Sequence, residues 1–307
     1  MARLFHTKGT GTAGDLILSV ERRLRRARVF FGHGTDNPRD EAAALVFHAM
    51  KLSHDAPLRV LKRRATAAQL ALIGALLEKR IADRVPLAYL THETWFAGLR
   101  FYVDERVLIP RSPLAELIER RFSPWIDAAR VRRVLDLGTG SGCIALAAAK
   151  AFPRARVDAV DIDANALAVA EINRRRLRLT RRVRLIESDH FEALSGESYD
   201  IIASNPPYVG KREMRGLPRE YGHEPRRALE SGALGLDSVR VILESAVRHL
   251  NPRGVLVVEV GNTENALKRA FPRTPFTWLD FERGGGGVFL LTREQLARSA
   301  MTEGYVG

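Results

Sequence analysis

The sequence predicts a doubly wound α/β fold: a mostly parallel sheet closed by an antiparallel hairpin, preceded by a small helical domain. Three observations carry this. Apolar residues recur at helical spacing up to about residue 93. Short apolar runs alternate with helical stretches from Arg133 to Val260. Where the two regimes meet, the pattern turns to strand-like alternation around Gly98. The expected organisation is a helical domain over 1–93, a β-hairpin linker over 94–110 and a sheet domain over 111–307.

Met1 to Gly14 is small and polar and is expected to fray. The first helix carries Leu16, Ile17, Val20, Leu24 and Phe31 on one face, with Arg22, Arg23, Arg25, Arg26 and Arg28 mostly on the other. A second begins near Pro38 and carries Ala42, Leu45, Val46 and Met50. A third begins at Thr66 and carries Leu70, Ile73, Leu76, Leu77 and Ile81. Between the first two, Phe31-Gly32-His33-Gly34-Thr35-Asp36-Asn37 is a Gly-rich loop ending in helix-capping residues. Thr94 to Ile109 reads as a hairpin turning at Gly98. Five buried strands are expected at Arg133 to Leu137, Arg156 to Asp161, Val183 to Ser188, Tyr199 to Ser204 and Gly254 to Val260. Phe276 to Phe281 and Val288 to Leu291 flank the glycine run Gly284 to Gly287 and read as the closing hairpin. A short helix and a disordered tail follow Arg293.

The 307 residues suffice for roughly two domains and a core that needs neither disulfide nor metal. The single cysteine, Cys143, cannot form an internal disulfide, which favours a reducing cytoplasm; it reads as a small packing residue. The start lacks the apolar run of a signal peptide, and no stretch reads as a membrane span. Lys and Arg exceed Asp and Glu by 49 − 36 = 13, a field that favours polyanionic surroundings such as nucleic acid or a ribonucleoprotein. The densest basic run, Arg174 to Arg184, reads either as a patch for transient rRNA contact or as a solvated helix end and loop. The eight histidines show no metal-ligand spacing.

Two constellations carry chemistry. Asn205-Pro206-Pro207-Tyr208 follows directly on the strand-like Asp200 to Ser204. It presents a carboxamide, a backbone carbonyl, a rigid turn and an aromatic ring together, a set suited to a planar, conjugated –NH2 group. An ordinary strand-ending Asn-Pro turn is the alternative. The second is Asp136-Leu137-Gly138-Thr139-Gly140-Ser141-Gly142, between the first strand of the sheet and the apolar stretch Ile144 to Ala149. Its Gly-x-Gly-x-Gly spacing differs from the dinucleotide fingerprint, and it holds neither Lys nor Arg for phosphate. Asp161 closes the second strand, where it can accept two ribose hydroxyls, and Asp189 follows the third, where it can meet an adenine amino group. Helix capping is the alternative role for Asp161 and Asp163, and a turn for Asp189.

Taken together, glycine loop, acidic strand ends and Asn205-Pro206-Pro207-Tyr208 resemble the class I S-adenosyl-L-methionine-dependent methyltransferases with a Rossmann-like sheet, in the group of protein-(glutamine-N5) methyltransferases. The resemblance covers nearly the whole chain. Phe31 to Asn37, Tyr102 to Arg106 and Glu220-Tyr221-Gly222-His223-Glu224-Pro225 are similar to the branch acting on the third large-subunit ribosomal protein, with Gly222 a departure from its pattern. The release-factor branch usually has Arg-Pro-x-Thr-Glu where this chain has Arg111-Ser112-Pro113-Leu114-Ala115-Glu116.

The resemblance implies S-adenosyl-L-methionine as cofactor, held by Asp136, Gly138, Thr139, Gly140, Gly142, Asp161, Ile162, Asp189 and Asn205. It implies substrate contacts from Asn205, Pro206, Pro207, Tyr208, His223 and Glu224, with Asn205, Pro206 and Tyr208 at the reacting amide. The helical domain would recognise a ribosomal protein, free or within an assembling large subunit. A release-factor glutamine methyltransferase, a nucleic-acid adenine-N6 methyltransferase and a non-catalytic assembly factor are the competing readings.

Overall fold

The computed structural model describes residues 11–303, which fall into two compact units. Residues up to Glu93 together with Pro218–His223 form one; Thr94–Leu217 with Glu224 onward form the other.

In the first unit, α1 spans Ala13–Ala27, α2 Pro38–Met50 and α3 Ala67–Ala82. Each starts where a side chain satisfies orphan backbone N–H groups: Thr12 in a reciprocal box with Asp15, Asn37 ahead of Pro38, and Thr66 in a box with Gln69. The chain is therefore helical from Ala13, two residues inside the segment expected to fray; residues 1–10 lie outside the described part. Leu16, Ile17, Val20 and Leu24 are buried against α2 and α3 as the periodicity requires, while Phe31 lies beyond the helix, which ends at a left-handed Arg28. Each fully buried aliphatic side chain contributes roughly 1.5–3 kcal/mol.

One cation sits in this core. Arg80 on α3 is fully buried; its Nε donates to Glu41 Oε1 at 2.7 Å, and one guanidinium nitrogen donates to Glu220 Oε1 at 3.2 Å. Glu220 also accepts from the Phe30 N–H at 2.9 Å, and the Tyr221 ring packs 4.6 Å from that of His33. Segment Pro218–His223 is thus held on the loop between α1 and α2 by a charge network and an aromatic cluster.

In the second unit a hairpin of β1 (Thr94–Phe96) and β2 (Leu99–Phe101) precedes a seven-stranded sheet. The hairpin is shorter than expected because Asp104 Oδ1 accepts from the Arg106 backbone at 3.1 Å, a local turn that replaces strand pairing. Phe96 and Phe101 are buried in the core of the sheet, so the hairpin packs as part of this unit.

The sheet strands are β3 (Arg133–Leu137), β4 (Arg156–Asp161), β5 (Val183–Glu187), β6 (Tyr199–Ser204), β7 (Leu250–Glu259), β8 (Thr277–Trp278) and β9 (Val288–Thr292). Their order is β5-β4-β3-β6-β7-β9-β8, parallel from β5 to β7, with β9 antiparallel to both β7 and β8. Strand β7 starts four residues earlier than Gly254, and β8 is shortened to two residues at the sheet edge. The chain runs outward from β3 through β5 and returns to β6, so the carboxyl ends of β3 and β6 flank the crevice where open α/β sheets bind ligands.

Cys143 opens the helix Cys143–Ala151 and packs in the core; burial, then the neighbouring Asp136, pushes its thiol up to about 12, which disfavours the reactive thiolate. In the basic run, Arg174 donates to the Val183 carbonyl at 2.8 Å, Arg176 covers the Tyr102 ring, and Arg184 grips the buried Asp158 at 2.9 and 2.8 Å. Arg174 thus ties the helix Ala164–Arg176 to β5, and Arg184 ties β5 to β4. No helix among the described residues is long and apolar enough to cross a membrane.

Replacing Arg80 by Leu takes the paired cation from Glu41, leaving it the Thr35 hydroxyl, and leaves Glu220 the Phe30 N–H and the more distant Arg84; we expect this to destabilise the chain by roughly 3–5 kcal/mol in urea denaturation followed by circular dichroism. A loss below about 1 kcal/mol would show that the buried network does not hold this unit together.

Candidate active site

The glycine loop leaves β3 at Leu137 and enters the helix Cys143–Ala151. Asp136 beneath it is completely buried. Its Oδ2 accepts from Thr139 Oγ1 at 2.6 Å and from the Ala145 N–H at 3.0 Å, while Oδ1 has no partner. Burial pushes this acid up to about 7 against those two hydrogen bonds. Asp136 and Thr139 therefore shape the loop from below. Gly138 and Gly140, both at positive φ, form the wall of a cavity of about 400 Å³. Gly142 lies off that wall, where a Cβ would come within 3.1–3.2 Å of Leu146 and Ala170.

Asp161 ends β4 and belongs to the cavity wall. Its Oδ2 accepts from the Gly140 N–H at 2.8 Å and its Oδ1 from the Asp163 N–H at 3.0 Å. Burial raises its pKa, opposed by those two backbone donors. The capping role falls to Asp163, which accepts from the Asn165 N–H at 2.9 Å. Ile162 is exposed on the same wall. Asp189, half exposed beyond β5, also lines it; its Oδ1 lies 2.6 Å from His190 Nδ1, and His190 Nε2 lies 2.7 Å from Ser238 Oγ.

On the other flank Ser204 donates to the Leu137 carbonyl at 2.7 Å, joining β6 to β3 immediately before the Asn205 turn. Asn205, Pro206 and Pro207 line the cavity, and Asn205 Oδ1 is buried without a hydrogen-bond partner. Eight expected residues therefore meet in one crevice: Gly138, Gly140, Asp161, Ile162, Asp189, Asn205, Pro206 and Pro207.

Others face elsewhere. The Tyr208 hydroxyl donates to Glu259 Oε1 at 3.1 Å, and its ring is not part of the cavity wall. Glu224 turns inward onto Arg111, pairing at 2.6 and 2.7 Å and accepting the Ile109 N–H at 3.0 Å. His223 Nε2 lies 2.9 Å from the Asp83 carbonyl within the first unit.

Sequence reading overlooked Arg227, Ser231, Asp237 and Ser238, which complete the wall from the segment after Pro225. Arg227 and Ser231 lie in an irregular stretch, and Asp237 and Ser238 open the amphipathic helix Asp237–Ser245. A parallel bridge from Val209 to Glu230 brings this segment beside the Asn205 turn, a pairing without sequence signature. A larger cleft of about 610 Å³ shares Asp189 and His190 but touches neither the glycine loop nor Asn205, so the smaller cavity is the candidate site.

Comparison with known proteins agrees with this geometry. Residues 121–275 match the family model described as "Methyltransferase small domain", and residues 22–91 match "PrmC N-terminal domain". The chain is 48% identical over 286 residues to a ribosomal protein uL3 glutamine methyltransferase of Neisseria meningitidis serogroup B, covering 93% of this chain and 94% of that one. It is 46% identical to the protein of that name from Bordetella pertussis, covering 93% and 96%. The hMettl16 catalytic domain, solved with an RNA hairpin, shares the fold at a TM-score of 0.51 and 17% identity, over 73% of this chain and 80% of that one. A glycine loop, acidic strand ends and an Asn-Pro-Pro-Tyr turn around one crevice, with near-complete alignment to these relatives, make this chain a member of the methyltransferase small-domain family, in the group of the ribosomal protein uL3 glutamine methyltransferases.

Proposed function

We propose that this chain binds S-adenosyl-L-methionine in the crevice between Gly138, Asp161 and Asp189, and methylates the side-chain nitrogen of a glutamine in ribosomal protein uL3. The observation that carries this reading is Asn205: the residue lines the cavity, and its Oδ1 is a buried acceptor without a donor. A primary amide brings two N–H donors and no charge, which is what such an acceptor lacks. The identity of the protein substrate follows from the names of relatives aligned over nearly the whole chain.

The residues fit the cofactor. A Cβ at Gly140 would meet nothing within 4 Å, so the loop there faces open space. Asp161 uses one lone pair on each oxygen for a backbone N–H and keeps the others for ribose hydroxyls. The two arginines on the wall are engaged, Arg106 with Asp104 and Arg227 with Asp163, which suits a ligand without phosphate. About 400 Å³ lies within the range of small-molecule sites and leaves recognition of the rest of a protein substrate to other surfaces. We assign that task to the helical first unit.

An amide nitrogen has its lone pair delocalised and attacks carbon poorly. Asn205 Oδ1 and the Pro206 carbonyl would accept its two N–H bonds, so charge arising on nitrogen meets oxygen already in place. Pro207 stiffens the turn that holds both acceptors. When bound, the sulfonium supplies a methyl carbon whose leaving group is already activated by positive charge. The protein's contribution is then alignment, which can remove on the order of 7–11 kcal/mol of barrier. The surplus proton on nitrogen leaves to water after transfer.

Asn205→Ala is expected to keep cofactor affinity and lower turnover on purified uL3 by roughly 10²- to 10³-fold, the scale of one lost preorganised contact; near-normal turnover would refute the amide clamp. Asp161→Ala is expected to weaken the cofactor by roughly 1.5–3 kcal/mol per lost charge-assisted bond. An unchanged affinity in calorimetric titration would remove Asp161 from the site. The function itself is tested by mass spectrometry of ribosomal proteins from cells with and without this chain, alongside methyl transfer to naked rRNA. The expected result is one methylated glutamine in uL3 that disappears with the chain; transfer to adenine instead would overturn the assignment.

A further inference from the structure

Glu259 occupies a position that the methyl-transfer reading does not use. It is the last residue of β7, one step beyond Val258, which stands level with Ser204 on β6, so its side chain emerges beside the Asn205 turn. It is 6% exposed. Oε1 accepts the Tyr208 hydroxyl at 3.1 Å; Oε2 makes no hydrogen bond, although the Ser112 hydroxyl is near enough to ease the acid. Burial pushes this carboxyl up to about 7, against the pull of Ser112, Tyr208 and Arg111. An incompletely satisfied acid in a core costs stability, and its presence requires a reason.

The surroundings supply one. Glu259 is followed by Val260 and then Gly261, where an added Cβ would sit 2.6 Å from Tyr208 Cε2 and 2.8 Å from Cζ. The ring therefore lies flush on the backbone past β7 with its hydroxyl on Glu259: a slot fitted to one tyrosine. Tyr208 does not line the cavity, whereas Asn205, Pro206 and Pro207 just before it do.

We propose that Glu259 is a positioning residue for methyl transfer: by holding the Tyr208 hydroxyl at the end of β7, it fixes the far end of the Asn205–Tyr208 turn and so aims the Asn205 and Pro206 oxygens at the substrate amide. This rests on the function proposed above. Tyr208 then acts through the turn rather than by stacking on the substrate.

The test uses the full chain with Glu259→Leu, Glu259→Gln, Tyr208→Phe and the double variant Glu259→Leu/Tyr208→Phe. Glu259→Leu is expected to lower kcat on uL3 by about tenfold, as for the loss of one hydrogen bond, with KM for uL3 and cofactor affinity nearly unchanged. Glu259→Gln keeps an acceptor for the phenol and is expected to restore most of that loss. The double variant is expected to be no slower than the slower single variant, because both remove the same contact. Hydrogen exchange of the Tyr208 and Val209 amides is expected to speed up in Glu259→Leu and Tyr208→Phe and to stay slow in Glu259→Gln. Unchanged exchange in both, or losses that multiply in the double variant, would overturn the inference. The exchange measurement needs no substrate, so it decides this inference even if the unaltered chain transfers no methyl to uL3, a result that would instead sink the function above.

Discussion

A buried carboxamide oxygen with no donor is the constraint around which this crevice is built. Asn205 lines a cavity at the carboxyl end of β6 with its Oδ1 buried and unpartnered, and leaving an acceptor desolvated costs stability that, in the function proposed above, a ligand N–H would offset. Keeping it there demands rigidity on every side. The Ser204 hydroxyl ties β6 to β3, two consecutive prolines restrict the turn, and the Tyr208 hydroxyl is anchored on β7. The central strands of the sheet thus frame the Asn205–Tyr208 turn.

Three carboxyls, Asp136 and Glu259 buried and Asp161 partly buried, surround this frame and do different work. Asp136 lies below the glycine loop and sets its path through Thr139 and Ala145, never reaching the cavity. Asp161 stands in the wall and couples the loop to β4 through the Gly140 N–H. Glu259 serves the opposite flank, where it receives a phenol. Burial raises the pKa of all three, and the few donors each one meets oppose that rise. Of the three, only Asp161 lines the cavity, so an acidic residue next to a glycine loop does not by itself belong to the cavity wall.

Much of the fold was legible because its signals are local. Apolar periodicity located the three long helices, with capping residues marking the starts at Asn37 and Thr66 while the cap at Thr12 went unread, and short apolar runs located the parallel strands. The candidate site was partly legible for the same reason: Gly138, Gly140, Asp161, Asp189 and Asn205 each sit where a strand ends, and strand ends converge in this fold. What stayed hidden depends on contacts distant in sequence. Glu224 reads as a substrate residue, yet Arg111 claims it from over a hundred positions away. Tyr208 reads as a stacking platform until β7 brings Glu259 to its hydroxyl. Pro218–His223 packs with the helical unit because Glu220 meets Arg80, a pairing no local pattern announces.

The central claim concerns where the substrate amide is held, and one measurement addresses it directly: the structure of this chain with S-adenosylhomocysteine and a glutamine-containing uL3 peptide bound together. The account requires the glutamine nitrogen to lie about 3 Å from both Asn205 Oδ1 and the Pro206 carbonyl, facing the sulfur of the product cofactor. A glutamine bound with its nitrogen away from that turn, or an Asn205 oxygen satisfied by another group of the protein, would contradict it.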